Sequence, residues 1–186
     1  MIALHLIFCM YGHWLPNDPR GSWSQYLRNQ KLHEYGEIVP ANTTQSLARQ
    51  AHDVAQRLAA KEALQYEPVI ITGIQALAIS KGFAQAIQES GYAVFACAIM
   101  PDHVHLVVAN HKQGPKTIVK HFKSRGTHWL NRENCHPAIP SVWSRGGWAV
   151  FLDSEDDCFS AIEYVNQNPI EKGLKPQNWS FVVPFR

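Results

Sequence analysis

Residues 96–109 constrain the fold more tightly than any other part of the chain. They read Ala96-Cys97-Ala98-Ile99-Met100-Pro101-Asp102-His103-Val104-His105-Leu106-Val107-Val108-Ala109. Two apolar runs flank Met100-Pro101-Asp102, whose turn chemistry breaks a strand rather than continuing it. The pattern predicts two strands joined by a tight turn. Side chains alternate along a strand, so His103 and His105 share one face and Val104 lies on the other. Two imidazoles side by side on a rigid strand are either a bidentate metal clip or two half-buried polar residues on an amphipathic strand. Imidazole accepts several metals, so the pair alone names no ion. A zinc hydrolase would also need a third strong ligand and a carboxylate base. There is no His-Glu-x-x-His, and the only carboxylate nearby is Asp102, which ranks a metal-dependent hydrolase last among the readings.

A chain of 186 residues is expected to form one domain, spanning 1–186, with a core that needs no staples. Its 46% hydrophobic and 17% charged content is that of a globular protein. Net charge is only +2 with histidines neutral, so a nucleic-acid surface would have to be local. Cys9, Cys97, Cys135 and Cys158 form no Cys-x-x-Cys pair and read as reduced thiols. The apolar start, residues 1–10, has no basic leader or cleavage site and is interrupted by His5. It is expected to be a buried first strand, with the cytoplasm as the default location and no membrane association.

Residues 11–22 are dense in turn formers, and 23–41 stay irregular and polar. Asn42, Thr43 and Thr44 offer N-caps for a helix to about Tyr66, ended by Pro68. Thr72 can cap a second helix, weakened in its middle by Gly82. Gly91 then starts a strand over 92–99, followed by the histidine strand over 103–109. Pro115 starts a third helix to about Asn131. Residues 142–152 read as a strand with a bulge or bend at Gly146-Gly147. Ser154 and Asp157 approximate a capped start for a last helix, predicted to end near Asn168 because Pro169 disfavours helical backbone before it. The order strand, helix, strand, strand, helix, strand matches the split βαβ plan. The expected fold class is α+β: a ferredoxin-like antiparallel sheet with helices on one face, a loop-and-helix insertion over 11–67 and an extra C-terminal helix. The histidines would lie on a central strand, with the other sheet face free for a ligand.

The last helix carries Tyr164 and Asn168, four residues apart and so on one side. They fall on one flank of a stripe formed by Cys158, Ala161, Ile162 and Val165. They are either a boundary tyrosine followed by an Asn-Pro helix stop or a functional pair. Tyr164 is the single tyrosine after Tyr92. The third helix carries Lys116, Lys120 and Lys123 on one side with Arg125 a step off, either a solvated basic face or a phosphate-tracking stripe. In the loop after the first strand, Trp14 and Arg20 offer a stacking plane and a phosphate-binding fork, or a core plug and a partner for Asp18. Trp143, Trp148 and Trp179 could stack on unpaired bases, although packing is the better expectation for at least two of them.

Taken together, residues 100–108, Phe122-Lys123-Ser124, Trp143 and residues 163–174 resemble the single-tyrosine HUH transposases, especially the REP-associated tyrosine transposases. Motif order and spacing agree from about residue 68 to 183. The resemblance implies a ferredoxin-like palm that binds a single-stranded or hairpin DNA end and works as a monomer or homodimer. By position, His103, His105 and Asn168 would be ligands to a divalent metal, Mg²⁺ or Mn²⁺, and Tyr164 the nucleophile. The implied activity is cutting and rejoining DNA through a 5′-phosphotyrosine intermediate at hairpin or palindromic ends. The alternative is a non-catalytic, domesticated nucleic-acid-binding domain of the same fold.

Overall fold

In the computed structural model, which describes residues 1–13 and 53–186, the turn after Ile99 closes when the Met100 amide donates to the His103 carbonyl at 2.8 Å. It joins β2 (Val94–Ile99) to β3 (His103–Ala109) as an antiparallel pair. β3 pairs on its other side with β1 (Ala3–Cys9), and β1 in turn with β4 (Trp148–Leu152), giving the antiparallel order β2-β3-β1-β4. The histidine strand is therefore central, as expected.

Alternation divides the sheet into two apolar faces. Leu4, Leu6 and Phe8 with Val104, Leu106 and Val108 pack in the larger cluster. Helices α2 (Gly73–Ser90) and α3 (Pro115–Arg132) cover that face. Thr72 and Gln75 cap α2 reciprocally, and Gly91 is its C-cap rather than the first residue of a strand. Gly82 has a packing role in α2. A Cβ there would lie 2.4 Å from the Arg125 carbonyl oxygen, so only glycine lets the two helices approach this closely.

The second face is not free. Helix α4 (Glu155–Glu171) lays Cys158, Ala161 and Val165 on Ala3, Ala96, Ala98 and Val107. Its N-terminus is the anticipated Ser154–Asp157 capping box. Its C-terminus corrects the expected stop near Asn168: the helix runs through Pro169 to Glu171. Pro169 is buried, and termination falls instead on Gly173, whose φ is +73°. The amides of Gly173 and Leu174 donate back to the carbonyls of Ile170 and Pro169, a Schellman closure that a left-handed glycine permits. Packing thus outweighs the local preference of the residue before proline.

Helix α1 (Val54–Glu62) is capped by Asp53 and ends before Pro68. The expected caps at Asn42, Thr43 and Thr44, together with Trp14 and Arg20, lie outside the described residues. The segment over 142–152 is split: Trp143 makes an isolated bridge to Met10, and regular strand begins only at Trp148. Past α4 the chain returns along β2, where the Gln177 amide bonds both the N–H and the carbonyl of Ile99. Among the described residues no helix is long and apolar enough to cross a membrane.

Candidate active site on the histidine strand

Strand register and the seating of α4 bring the candidate residues together. His103 and His105 share the α4 face, with ring centroids 4.7 Å apart. Tyr164 sits over them from α4, its ring 5.4 Å from that of His105 and nearly perpendicular to it. Asn168 lies deeper than the sequence pattern implies. It continues the buried stripe and is 6% exposed, whereas Tyr164, at the edge of the stripe, is 49% exposed. The Asn168 amide nitrogen is 3.5 Å from His105 Nε2, and its Oδ1 is buried with no hydrogen-bond partner.

Each histidine of the pair is held at its δ nitrogen. His103 Nδ1 is 2.6 Å from Asp102 Oδ1. Burial works to raise the Asp102 carboxyl, but the hydrogen bond and charge of His103 outweigh it and hold the group at about 2. His105 Nδ1 is 3.0 Å from His5 Nε2 across the β1–β3 pair. In the register Val107 faces His5 and Ile7 faces His105, so the two histidines are diagonal neighbours on one face. Burial pushes His5 down to about 4; burial, then the charges of His103 and His5, push His105 well below the usual imidazole range. The sequence marks His5 only as a polar interruption in an apolar strand. Its contact with a residue 100 positions away needs the register.

With Nδ1 of each ring engaged, the ε nitrogens are left for other partners; His105 Nε2 lies beside Asn168, whose amide oxygen is buried without a partner. Two neutral nitrogens and one oxygen suit a divalent cation that keeps open positions. Among the described residues no three His, Cys, Asp or Glu side chains are grouped to hold a metal, so such a set depends on the amide.

The basic residues of α3 behave differently from one another. Lys116, Lys120, Lys123, Ser124 and Thr127 line a groove of about 590 Å³ that Arg145 and the 141–146 segment close. Lys116, Lys120 and Arg145 are exposed. Lys123 is not: its ammonium donates to the carbonyls of Ser144 and Gly146 at 2.7 and 2.5 Å. Arg125 lies outside the groove and pairs with Glu89 at 2.7 Å. Trp143 and Trp148 are buried, Trp143 donating to the Lys123 carbonyl and Thr127 hydroxyl, while Trp179 stacks on Phe181.

A ferredoxin-like sheet with paired histidines on its central strand and a tyrosine helix across them defines a class of protein. Residues 63–168 match the family described as Transposase IS200 like, and the chain belongs to that family. No curated protein matches the sequence. Among solved structures, a REP-associated tyrosine transposase bound to a REP hairpin aligns at 10% identity with a TM-score of 0.51, covering 94% of this chain and 70% of that one. A Deinococcus radiodurans R1 crystal structure assigned as a transposase aligns at 11% identity and TM-score 0.42, covering 93% of this chain and 91% of that one. The first of these likenesses supports the fold.

Proposed function

We propose that this transposase-family protein cleaves and rejoins single-stranded DNA at hairpin or palindromic ends through a phosphotyrosine bond to Tyr164. One observation carries the reading. A tyrosine and an amide from α4 converge on two imidazoles from a strand about sixty residues earlier, with the Tyr164 and His105 rings 5.4 Å apart and an unpaired amide oxygen beside them. The half-exposed phenol can meet a phosphodiester, while the buried His105 and Asn168 and the partly buried His103 lie beneath it.

In this reading the Tyr164 phenolic oxygen attacks phosphorus and loses its proton. The bond between phosphorus and the 3′ oxygen breaks, and that oxygen takes up a proton to become a free hydroxyl. The 5′ phosphate stays on the enzyme as an ester, which conserves the bond energy. A 3′ hydroxyl can then reverse the step without ATP. His103, His105 and Asn168 would hold Mg²⁺ or Mn²⁺, which supplies charge neutralisation at the phosphate oxygens. Asp102 and His5 fix the rings that present the nitrogens. The α3 groove would carry the sugar-phosphate backbone on Lys116, Lys120 and Arg145, with Lys123 bracing its wall. The hairpin preference rests on the family and on the hairpin held by the distant REP-associated structure.

The test is a denaturing gel of labelled hairpin and single-stranded oligonucleotides incubated with protein and Mn²⁺. A protein-linked 5′ product should form with the wild type and disappear with Tyr164→Phe. DNA binding without any adduct, unchanged by Tyr164→Phe or chelator, would instead assign a non-catalytic nucleic-acid-binding domain.

A further inference from the structure

His5 lies outside every motif that points to the active site, yet its buried side chain contacts the back of His105. The contact is 3.0 Å from His5 Nε2 to His105 Nδ1, with His5 7% and His105 3% exposed. A contact this short between two ring nitrogens needs one of them to donate and the other to accept. A hydrogen bond between two neutral imidazoles holds one proton. If His5 donates it, His105 carries its own proton on Nε2 and has no lone pair there. If His105 donates it, the His105 Nε2 lone pair faces the amide of Asn168.

The surroundings decide between the two. Asn168 Nδ2, a donor, lies 3.5 Å from His105 Nε2, which suits a lone pair there and not a second N–H. The neighbouring ring is braced the same way: Asp102, an obligate acceptor while ionised, takes the Nδ1 proton of His103. From this geometry we infer that His5 is a positioning residue: it accepts the Nδ1 proton of His105 and thereby fixes the tautomer that turns a bare ε nitrogen into the active site. Asp102 does for His103 what His5 does for His105, with a neutral acceptor in place of a carboxylate. The difference follows from depth. His105 is nearly inaccessible, where an unpaired carboxylate would be expensive to bury, whereas Asp102 reaches solvent at the turn.

This inference rests on the active-site reading above, but its first test needs neither metal nor DNA. Ring ¹⁵N shifts of histidine-labelled protein, recorded without metal, report which nitrogen of His105 carries the proton. The expected result is Nδ1–H in the wild type. His5→Leu, which offers no acceptor, should shift His105 toward the Nε2–H form and weaken Mn²⁺ binding by about 10–100-fold, the usual effect of losing a ligand's supporting partner. His5→Gln places an amide oxygen near the position of the lost nitrogen and should restore both readouts; a packing role alone would not be rescued through the tautomer. A wild-type His105 protonated on Nε2 overturns the inference. So does a His5→Leu variant that keeps the Nδ1–H form and wild-type Mn²⁺ affinity. Should His5→Leu fail to fold, the wild-type spectrum and His5→Gln still decide. A wild type that binds no Mn²⁺ but shows His105 as Nδ1–H would sink the metal reading and leave the His5 assignment intact.

Discussion

Lys123 shows how one position can satisfy a pattern and escape its apparent meaning. Its spacing from Lys116 and Lys120 puts it on a basic stripe, yet its ammonium is turned inward onto the Ser144 and Gly146 carbonyls and over the Phe8 ring. Burial pushes its pKa down to about 8 from 10.5. The folded state therefore binds this proton less tightly than the unfolded state. Stability should rise as pH climbs from about 8 toward 10.5, where the unfolded chain still holds the proton, and the penalty is fully present below about 8. The effect is at most on the order of 3 kcal/mol, reduced by the two carbonyls that favour the ammonium. Urea denaturation at pH 7.5 and 9.5 measures it: the wild type should gain stability relative to Lys123→Met. An equal pH response in both would mean that the lysine is solvated.

At the scale of elements, the α2–α3 crossing is where local preference and packing oppose each other most directly. Helix propensity alone favours alanine over glycine at position 82 by about 1 kcal/mol. The crossing says the reverse, because the new methyl would lie 2.4 Å from the Arg125 carbonyl oxygen, which is backbone and cannot swing away. Overpacking of this kind costs roughly 1–3 kcal/mol or more, so Gly82→Ala should lower stability in a urea melt despite its better propensity. An unchanged or higher midpoint would show that α2 slides freely on α3. The end of α4 carries the same lesson. Pro169 marks a stop by the local rule, but burial of Asn168 and Pro169 and the Schellman closure at Gly173 extend the helix one more turn.

For the whole molecule, the charge distribution says more than its sum. A net charge of +2 conceals a groove with four cationic side chains and no acidic one in its lining. Such a concavity attracts a polyanion, and phosphate contacts release counterions with a log–log salt slope of about −0.7 per contact on single strands. Replacing Lys116, Lys120 and Arg145 together by glutamine should weaken oligonucleotide binding and flatten that slope by about 2. Because all three are exposed, the melting temperature should hardly move. Loss of affinity with an unchanged slope would place the DNA backbone elsewhere.

The sequence by itself determined what depends on a few neighbouring residues. The hairpin at Met100-Pro101-Asp102, the shared face of His103 and His105, the caps at Thr72 and Ser154, and the split βαβ order are set by side-chain alternation, turn chemistry and capping, which act within about four residues. The family motifs lie in the same stretches. The split βαβ plan puts the histidine strand at the centre of the sheet, but period-two alternation leaves register open, so it could not say that His5 reaches His105. Helical periodicity picked out the buried stripe of Cys158, Ala161 and Val165, but not that Asn168 continues it while Tyr164 stays half exposed. Those outcomes depend on which surfaces become dry when the sheet closes against its helices. Desolvation is a property of the assembled molecule: it brings two imidazoles into contact away from water and turns Lys123 from a surface charge into a brace on the Ser144 and Gly146 carbonyls.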